Sequence, residues 1–113
     1  MKSKILALSK NEEFKNLLKQ NKISNKYVTF FFGYLAEKDN KKLNISFVTK
    51  KKIGNAVKRN KIKRRLRNIL NEAVKKISIK FKYSYLVIAK STMLNNEYKI
   101  IKETLFQDLK RIK

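Results

Sequence analysis

The chain is predicted to fold as an α/β (α+β) two-layer sandwich, a small mixed sheet with helices on one face, in the order α-β-β-(β)-α-β-α. Three observations carry that prediction. Residues 27–35 (YVTFFFGYL), 43–50 (LNISFVTK) and 84–90 (SYLVIAK) read as strands from their aromatic, β-branched and alternating composition. Ile62, Leu66, Ile69, Leu70, Ala73, Val74 and Ile77 recur in steps of three and four, which puts one apolar stripe on a long helix. A chain of 113 residues, 42% of them hydrophobic, is long enough for one modest core, so residues 1–113 are expected to form a single domain.

The elements follow in order. Ser9 and Glu12 have the spacing of a capping box, and Phe14, Leu17 and Leu18 follow at helical spacing, so a short helix is predicted over about 9–20. Residues 20–26 are polar and read as a loop. The aromatic strand comes next, then a polar turn at Asp39 and Asn40. In the second strand Leu43, Ile45 and Phe47 alternate with Asn44, Ser46 and Val48, the pattern of a half-buried strand. The two strands together suggest an antiparallel hairpin. Gly54 interrupts the pattern and Asn55 is a good N-cap, so the long helix should begin there and run to about Ile77. The third strand is apolar enough to be central. Ile101, Leu105, Leu109 and Ile112 mark a last amphipathic helix.

Charge is the feature that asks for a partner. The net charge is +22, from 30 basic and 8 acidic residues. Ten of the eighteen residues from 50 to 67 (KKKIGNAVKRNKIKRRLR) are Lys or Arg, none is acidic, and the next acid is Glu72. Ordinary soluble helices intersperse acids along such a run. Polyanionic nucleic acid is the partner that chemistry points to. Self-repulsion opposes compaction, so modest stability alone and greater stability in complex are expected. At about 100° per residue, Asn60, Lys63, Arg64 and Arg67 lie on one flank of the apolar stripe, and Lys58, Lys61 and Arg65 on the other. Two flanks imply two contact surfaces.

The absent residues exclude other chemistry. Without Cys there are no disulfides or thiolate metal sites, and without His the commonest general base and metal ligand are missing. Glu12 and Glu13 are adjacent, but neighbouring helical residues do not share a face. Each carboxylate reads as a cap, turn or ion-pair member, and no catalytic constellation is found in the protein. No apolar run reaches membrane-spanning length and the N-terminal apolar stretch is too short for a signal peptide, so a soluble, cytoplasmic protein is expected.

Lys52, Ile53, Gly54, Ala56, Val57, Arg59, Asn60, Lys61, Ile62, Lys63, Arg64 and Arg67 closely resemble, in order, the signature of the bacterial ribonuclease P protein component. Lys61 stands where that family's Arg-Asn-Arg triplet usually has Arg, which keeps the charge but loses the planar fork. Residues 11–14 (NEEF), 25–27 (NKY) and 85–90 (YLVIAK) resemble the family's first-helix entry, aromatic strand and late strand, with Lys90 replacing Arg. The resemblance implies a left-handed β-α-β crossover around the basic helix, against the usual rule. It implies as partners a catalytic RNA subunit and the 5′ leader of precursor tRNA, with no membrane and no required protein partner. It also implies Mg²⁺, held mainly by that RNA, and removal of the leader by RNA catalysis, the protein alone being inactive.

On this reading Lys51, Lys52, Lys58, Arg59, Asn60, Lys61, Lys63, Arg64, Arg65 and Arg67 are the expected RNA-binding residues. Most of the aromatic strand should be core. One parity of it is available as a platform on which leader bases stack. Alignment to the family puts Phe31 there, and a differently placed gap puts Phe32. Phe14 reads either as the core anchor of the first helix or, by resemblance, as a cleft residue. The main alternative is a structural, ribosomal-type RNA-binding protein with no role in cleavage. A duplex-DNA binder using the helix in the major groove is a further one.

Overall fold

In the computed structural model, residues 5–8, 11–36, 38 and 41–112 are described. They form β1 (Ile5–Leu6), α1 (Asn11–Leu18), β2 (Asn21–Ser24), β3 (Val28–Gly33), β4 (Leu43–Val48), α2 (Ala56–Lys76), β5 (Ser84–Ala89) and α3 (Tyr98–Arg111). Short 3-10 turns at Lys51–Ile53 and Ser91–Leu94 follow β4 and β5. The predicted caps and turns at Ser9, Asp39 and Asn40 fall outside the described residues.

All five strands join one mixed sheet in the order β1-β4-β5-β3-β2. β4 and β5 are parallel neighbours, with Ile45 opposite Tyr85 and Phe47 opposite Val87. α2 lies between them in the chain and is therefore the crossover. β3 runs antiparallel to β5, with Phe31 opposite Leu86. The expected β3–β4 hairpin is thus not formed, because β5 is inserted between the two strands. The connection at 34–42 is longer than a tight hairpin loop and can step past a strand. The six residues of β5 are nearly all buried, and the strand buried on both faces takes the centre.

The predicted loop at 20–26 contains β2 instead. It pairs antiparallel with β3 from Asn21 opposite Phe32 to Ser24 opposite Thr29. Asn25 makes the turn, its side-chain Oδ1 accepting from the backbone N–H of Tyr27 (2.7 Å) and Val28 (2.9 Å). β2 is a polar edge strand in which Ile23 alone is half-buried.

Two apolar clusters lie on opposite faces of the sheet, because successive strand residues point opposite ways. The larger joins Phe30, Phe32, Ile45, Tyr85 and Val87 to Ile62, Leu66, Ile69, Leu70 and Ala73 of α2 and to Ile101, Leu105 and Leu109 of α3. Tyr85 is almost fully buried there, its hydroxyl donates to the Lys80 carbonyl (2.8 Å), and burial pushes its pKa up. The smaller cluster holds Leu8, Leu17, Leu35 and Leu86, with Phe14, Phe31, Val48 and Ile88 packed against it. The mixed α+β class stands, but the helices are not all on one face: α2 and α3 cover one, and α1 lies on the other. Leu17 is the reason, since a short helix with one fully buried anchor needs its own apolar patch, and the alternate parity of β3 and β5 supplies it.

Candidate nucleic-acid interface

The long helix is built where the sequence stops alternating. Gly54 adopts φ 157° and ψ −168°, a conformation that L side chains rarely take, and a Cβ there would lie 2.9 Å from Cδ of Lys58. Asn55 then caps α2, its side chain accepting from the N–H of Lys58 (3.0 Å). The buried stripe is Ile62, Leu66, Ile69, Leu70 and Ala73, so the basic residues face outward by geometry. Lys51, Lys52, Lys58, Asn60, Lys61, Arg64 and Arg67 are exposed, while Arg59, Lys63 and Arg65 are half-buried.

The first turn of α2 holds no acid, and Lys51, Lys52, Lys58 and Arg59 crowd it. A helix N-terminus carries partial positive charge and favours anions. The sequence thus adds cations where the backbone already repels them, an arrangement that a bound phosphate chain relieves. Only beyond the basic stretch does an acid appear: Glu72 pairs with Lys102 (3.1 Å) and more loosely with Lys76 (3.9 Å).

The two flanks differ. Lys63 and Arg67 face the β4 edge, where they line a cavity with Phe14 and Phe47. Arg65 turns the other way, and its Nη1 donates to the carbonyls of Met93 (3.0 Å) and Asn96 (3.3 Å). It therefore anchors the loop after β5 to α2, a role no one-dimensional pattern shows. Charge-assisted bonds of this kind contribute roughly 1.5–3 kcal/mol. Arg65→Ala is expected to lower stability by about 2 kcal/mol in urea denaturation, whereas Arg64→Ala leaves the midpoint within error.

The other face of the sheet carries the aromatic site. Phe31 of β3 points to the α1 side, half-buried, in the same cluster as half-buried Phe14. The structure thus brings the two predicted aromatics together. Phe32 points the opposite way, into the core, with its ring 5.5 Å from Tyr83 and 6.2 Å from Tyr85. Of the two strand phases, the one that turns Phe32 into the α2-side core and Phe31 to the opposite face is the one formed.

On the same face, Thr29 and Ile88 are paired neighbours and line a cavity of about 350 Å³. Lys50, Lys52 and Lys90 line it too. Lys50 and Lys90 were not among the predicted site residues. The signal for Lys90 was its place directly after the central strand. Its Nζ donates to Ser24 Oγ (2.9 Å) and to the Asn25 carbonyl (2.5 Å), which holds it at the β2–β3 turn. Asn25 is tied in turn to buried Asp108 by its Nδ2 (2.7 Å).

Several acids are committed to structure. Glu13 pairs with Lys38, Glu72 with Lys102, and Asp108 with Asn25 and Arg111. Among the described residues, no three His, Cys, Asp or Glu stand together as a metal site. No helix among them is long and apolar enough to cross a membrane.

A family model for ribonuclease P matches residues 3–113. A ribonuclease P protein component from Carboxydothermus hydrogenoformans is 37% identical over 110 residues, covering 94% of this chain and 90% of its own. One from Bacillus cereus is 32% identical over 104 residues, covering 92% and 88%. A solved structure of the Staphylococcus aureus RNase P protein superimposes with a TM-score of 0.75 at 27% identity, over 91% of this chain and 90% of that one. The RNase P protein from Thermotoga maritima has the same fold, with a TM-score of 0.80 at 23% identity over 96% and 98%. The match runs through the basic helix, the aromatic strand and the last helix alike, and the chain belongs to the ribonuclease P protein family, the protein component of bacterial ribonuclease P.

Proposed function

We propose that this protein holds precursor tRNA on a catalytic RNA subunit, and that the RNA carries the chemistry of 5′-leader removal. The whole chain acts as one domain in the cytoplasm. Lys51, Lys52, Lys58, Arg59, Asn60, Lys61, Lys63, Arg64 and Arg67 meet RNA phosphates and release counterions. Arg65 contributes chiefly by holding its loop. Phe14 and Phe31 stack leader bases, which needs no strict sequence because every base has a π-face. Lys50, Lys52 and Lys90 receive the phosphates beyond them.

Mg²⁺ enters this reading as an ion of the RNA. The described side chains do not fit it, since their carboxylates are scattered and several are paired with Lys or Arg. No step of the protein's own work runs through a metal. The residues bind, orient and screen: the basic helix reduces repulsion between two RNAs, and the platform holds precursor more tightly than leaderless product.

The observation that carries this reading is the pairing of two surfaces: an uninterrupted cationic helix face and an aromatic sheet face rimmed by lysines. The test is affinity of the assembled RNA–protein complex for precursor with and without its leader. Phe31→Ala is expected to weaken leader-bearing precursor by about tenfold, within the usual range for one stacked base, and to leave leaderless tRNA unchanged. Equal losses on both would contradict the platform. Phe31→Leu, which keeps the packing, separates lost stacking from lost fold.

A further inference from the structure

At the end of the sheet away from the first turn of α2, Tyr34 follows β3 and is the most exposed aromatic among the described residues, at 65%. Its backbone is nevertheless fixed. The Tyr34 N–H donates to Gln20 Oε1 (3.2 Å), and Gln20 Nε2 donates to the Tyr34 carbonyl (3.2 Å) and to Asn16 Oδ1 (2.7 Å). Gly33 makes room for this clamp, since a Cβ there would displace the Gln20 carboxamide. Phe32 before it joins the α2-side core and Leu35 after it joins the opposite cluster, so strand alternation turns Tyr34 to the α2 side.

Tyr83 stands next to it. The last ladder pair of β3 and β5 is Gly33 opposite Ser84, and Tyr34 and Tyr83 are the next residues outward on the two strands. Tyr83 is half-buried against the same core, and Lys82 Nζ lies 5.0 Å from the centre of its ring. In the parallel pair Asn44 is opposite Ser84, which sets Lys42 beside Lys82 two residues earlier. The loop before β5 is held as well, by buried Tyr85, whose hydroxyl donates to the Lys80 carbonyl (2.8 Å).

The fold does not account for these cations. Lys75 and Lys76 sit in the last turn of α2, where the helix dipole favours them. Lys80 and Lys82 lie beyond that turn and are exposed, and no carboxylate among the described residues pairs with them or with Lys42. Two aromatics on fixed backbone, edged by such lysines, suit the bases and phosphates of an unpaired nucleic-acid strand. An acidic peptide would engage the lysines and leave the rings idle.

We propose that this end of the sheet is a second RNA surface, separate from the leader platform, which takes an unpaired segment of the catalytic RNA subunit. Two observations choose that RNA over the precursor. Phe14 and Phe31 lie on the opposite face of the sheet. α2 is 21 residues long, about 30 Å at the helical rise, and its C-terminus leads through residues 77–83 straight to this end. RNA lying along the exposed basic side of α2 therefore arrives at Lys80, Lys82 and Tyr83. The proposal rests on the RNA-holding reading above and extends it to a surface which that reading leaves unused.

The test uses the assembled complex of protein and catalytic RNA. Tyr34→Ala removes an exposed ring and is expected to weaken catalytic RNA binding by about tenfold, within the usual range for one stacked base, while Tyr34→Phe keeps the parent affinity. Lys80→Gln with Lys82→Gln should lower the slope of log affinity against log salt by about 1.5. Affinity of the complex for leader-bearing precursor should match the parent's throughout. Independently of folding effects, a photoreactive benzoylphenylalanine replacing Tyr34 should crosslink to one region of the catalytic RNA, mapped by primer extension. Unchanged affinity and slope would overturn the proposal. So would crosslinks to the leader, to a second copy of the chain or to another protein. If these variants bind like the parent while loss of Lys61, Lys63, Arg64 and Arg67 still weakens RNA, this surface fails and the RNA-holding reading stands. If neither set of variants weakens catalytic RNA, both fail.

Discussion

Replacing Lys61, Lys63, Arg64 and Arg67 together by Gln is expected to weaken binding of the catalytic RNA by about a thousandfold near physiological salt. The salt dependence should flatten at the same time. Each phosphate neutralised contributes about 0.7–0.9 to the slope of log affinity against log salt, so four lost contacts reduce it by about three. Gln is a good helix former, and the buried stripe of Ile62, Leu66 and Ile69 is untouched. Circular dichroism should therefore show α2 intact while affinity collapses. Unchanged affinity and slope would mean that the exposed face of α2 is merely solvated.

Leu66→Ala should produce the largest stability change. Leu66 is fully buried where α2 meets the sheet, and emptying such a site costs about 2–5 kcal/mol. Small domains have only about 5–15 kcal/mol in total, and a net charge of +22 argues for the lower end here. The variant is expected to be partly unfolded at low salt. Adding RNA at about a hundred times its dissociation constant returns about 2.7 kcal/mol by mass action, so helical signal should reappear on titration. A variant that melts like the parent, with or without RNA, would contradict the assignment of Leu66 to the core that carries the basic face.

The long helix was the most legible part of the chain. Its apolar steps run through Ile62, Leu66, Ile69, Leu70, Ala73, Val74 and Ile77; the first five are buried, the last two are half-buried against the same core, and the predicted limits coincide with caps at Asn55 and Ile77. The reason is physical: charge and apolarity separate cleanly around a cylinder. The aromatic strand was legible as a strand but not in phase, because VTFFFG is apolar on both faces and has no alternation to read. β2 was missed because an edge strand with one half-buried residue has almost no pattern. The strand order was missed because pairing is decided across the chain, by which strand can bear burial on both faces. α1 went to the far face for a related reason, a patch that exists only once β3 and β5 are side by side. The roles of Arg65 and Lys90 depend on loops that meet them in space.

The measurement that bears most directly on the whole account is cleavage of a precursor tRNA by its catalytic RNA at low Mg²⁺, with and without this protein. A large protein-dependent increase in leader removal is expected, with no cleavage by protein alone. RNA that binds this protein tightly yet cleaves no faster, at several Mg²⁺ and salt concentrations, would contradict it.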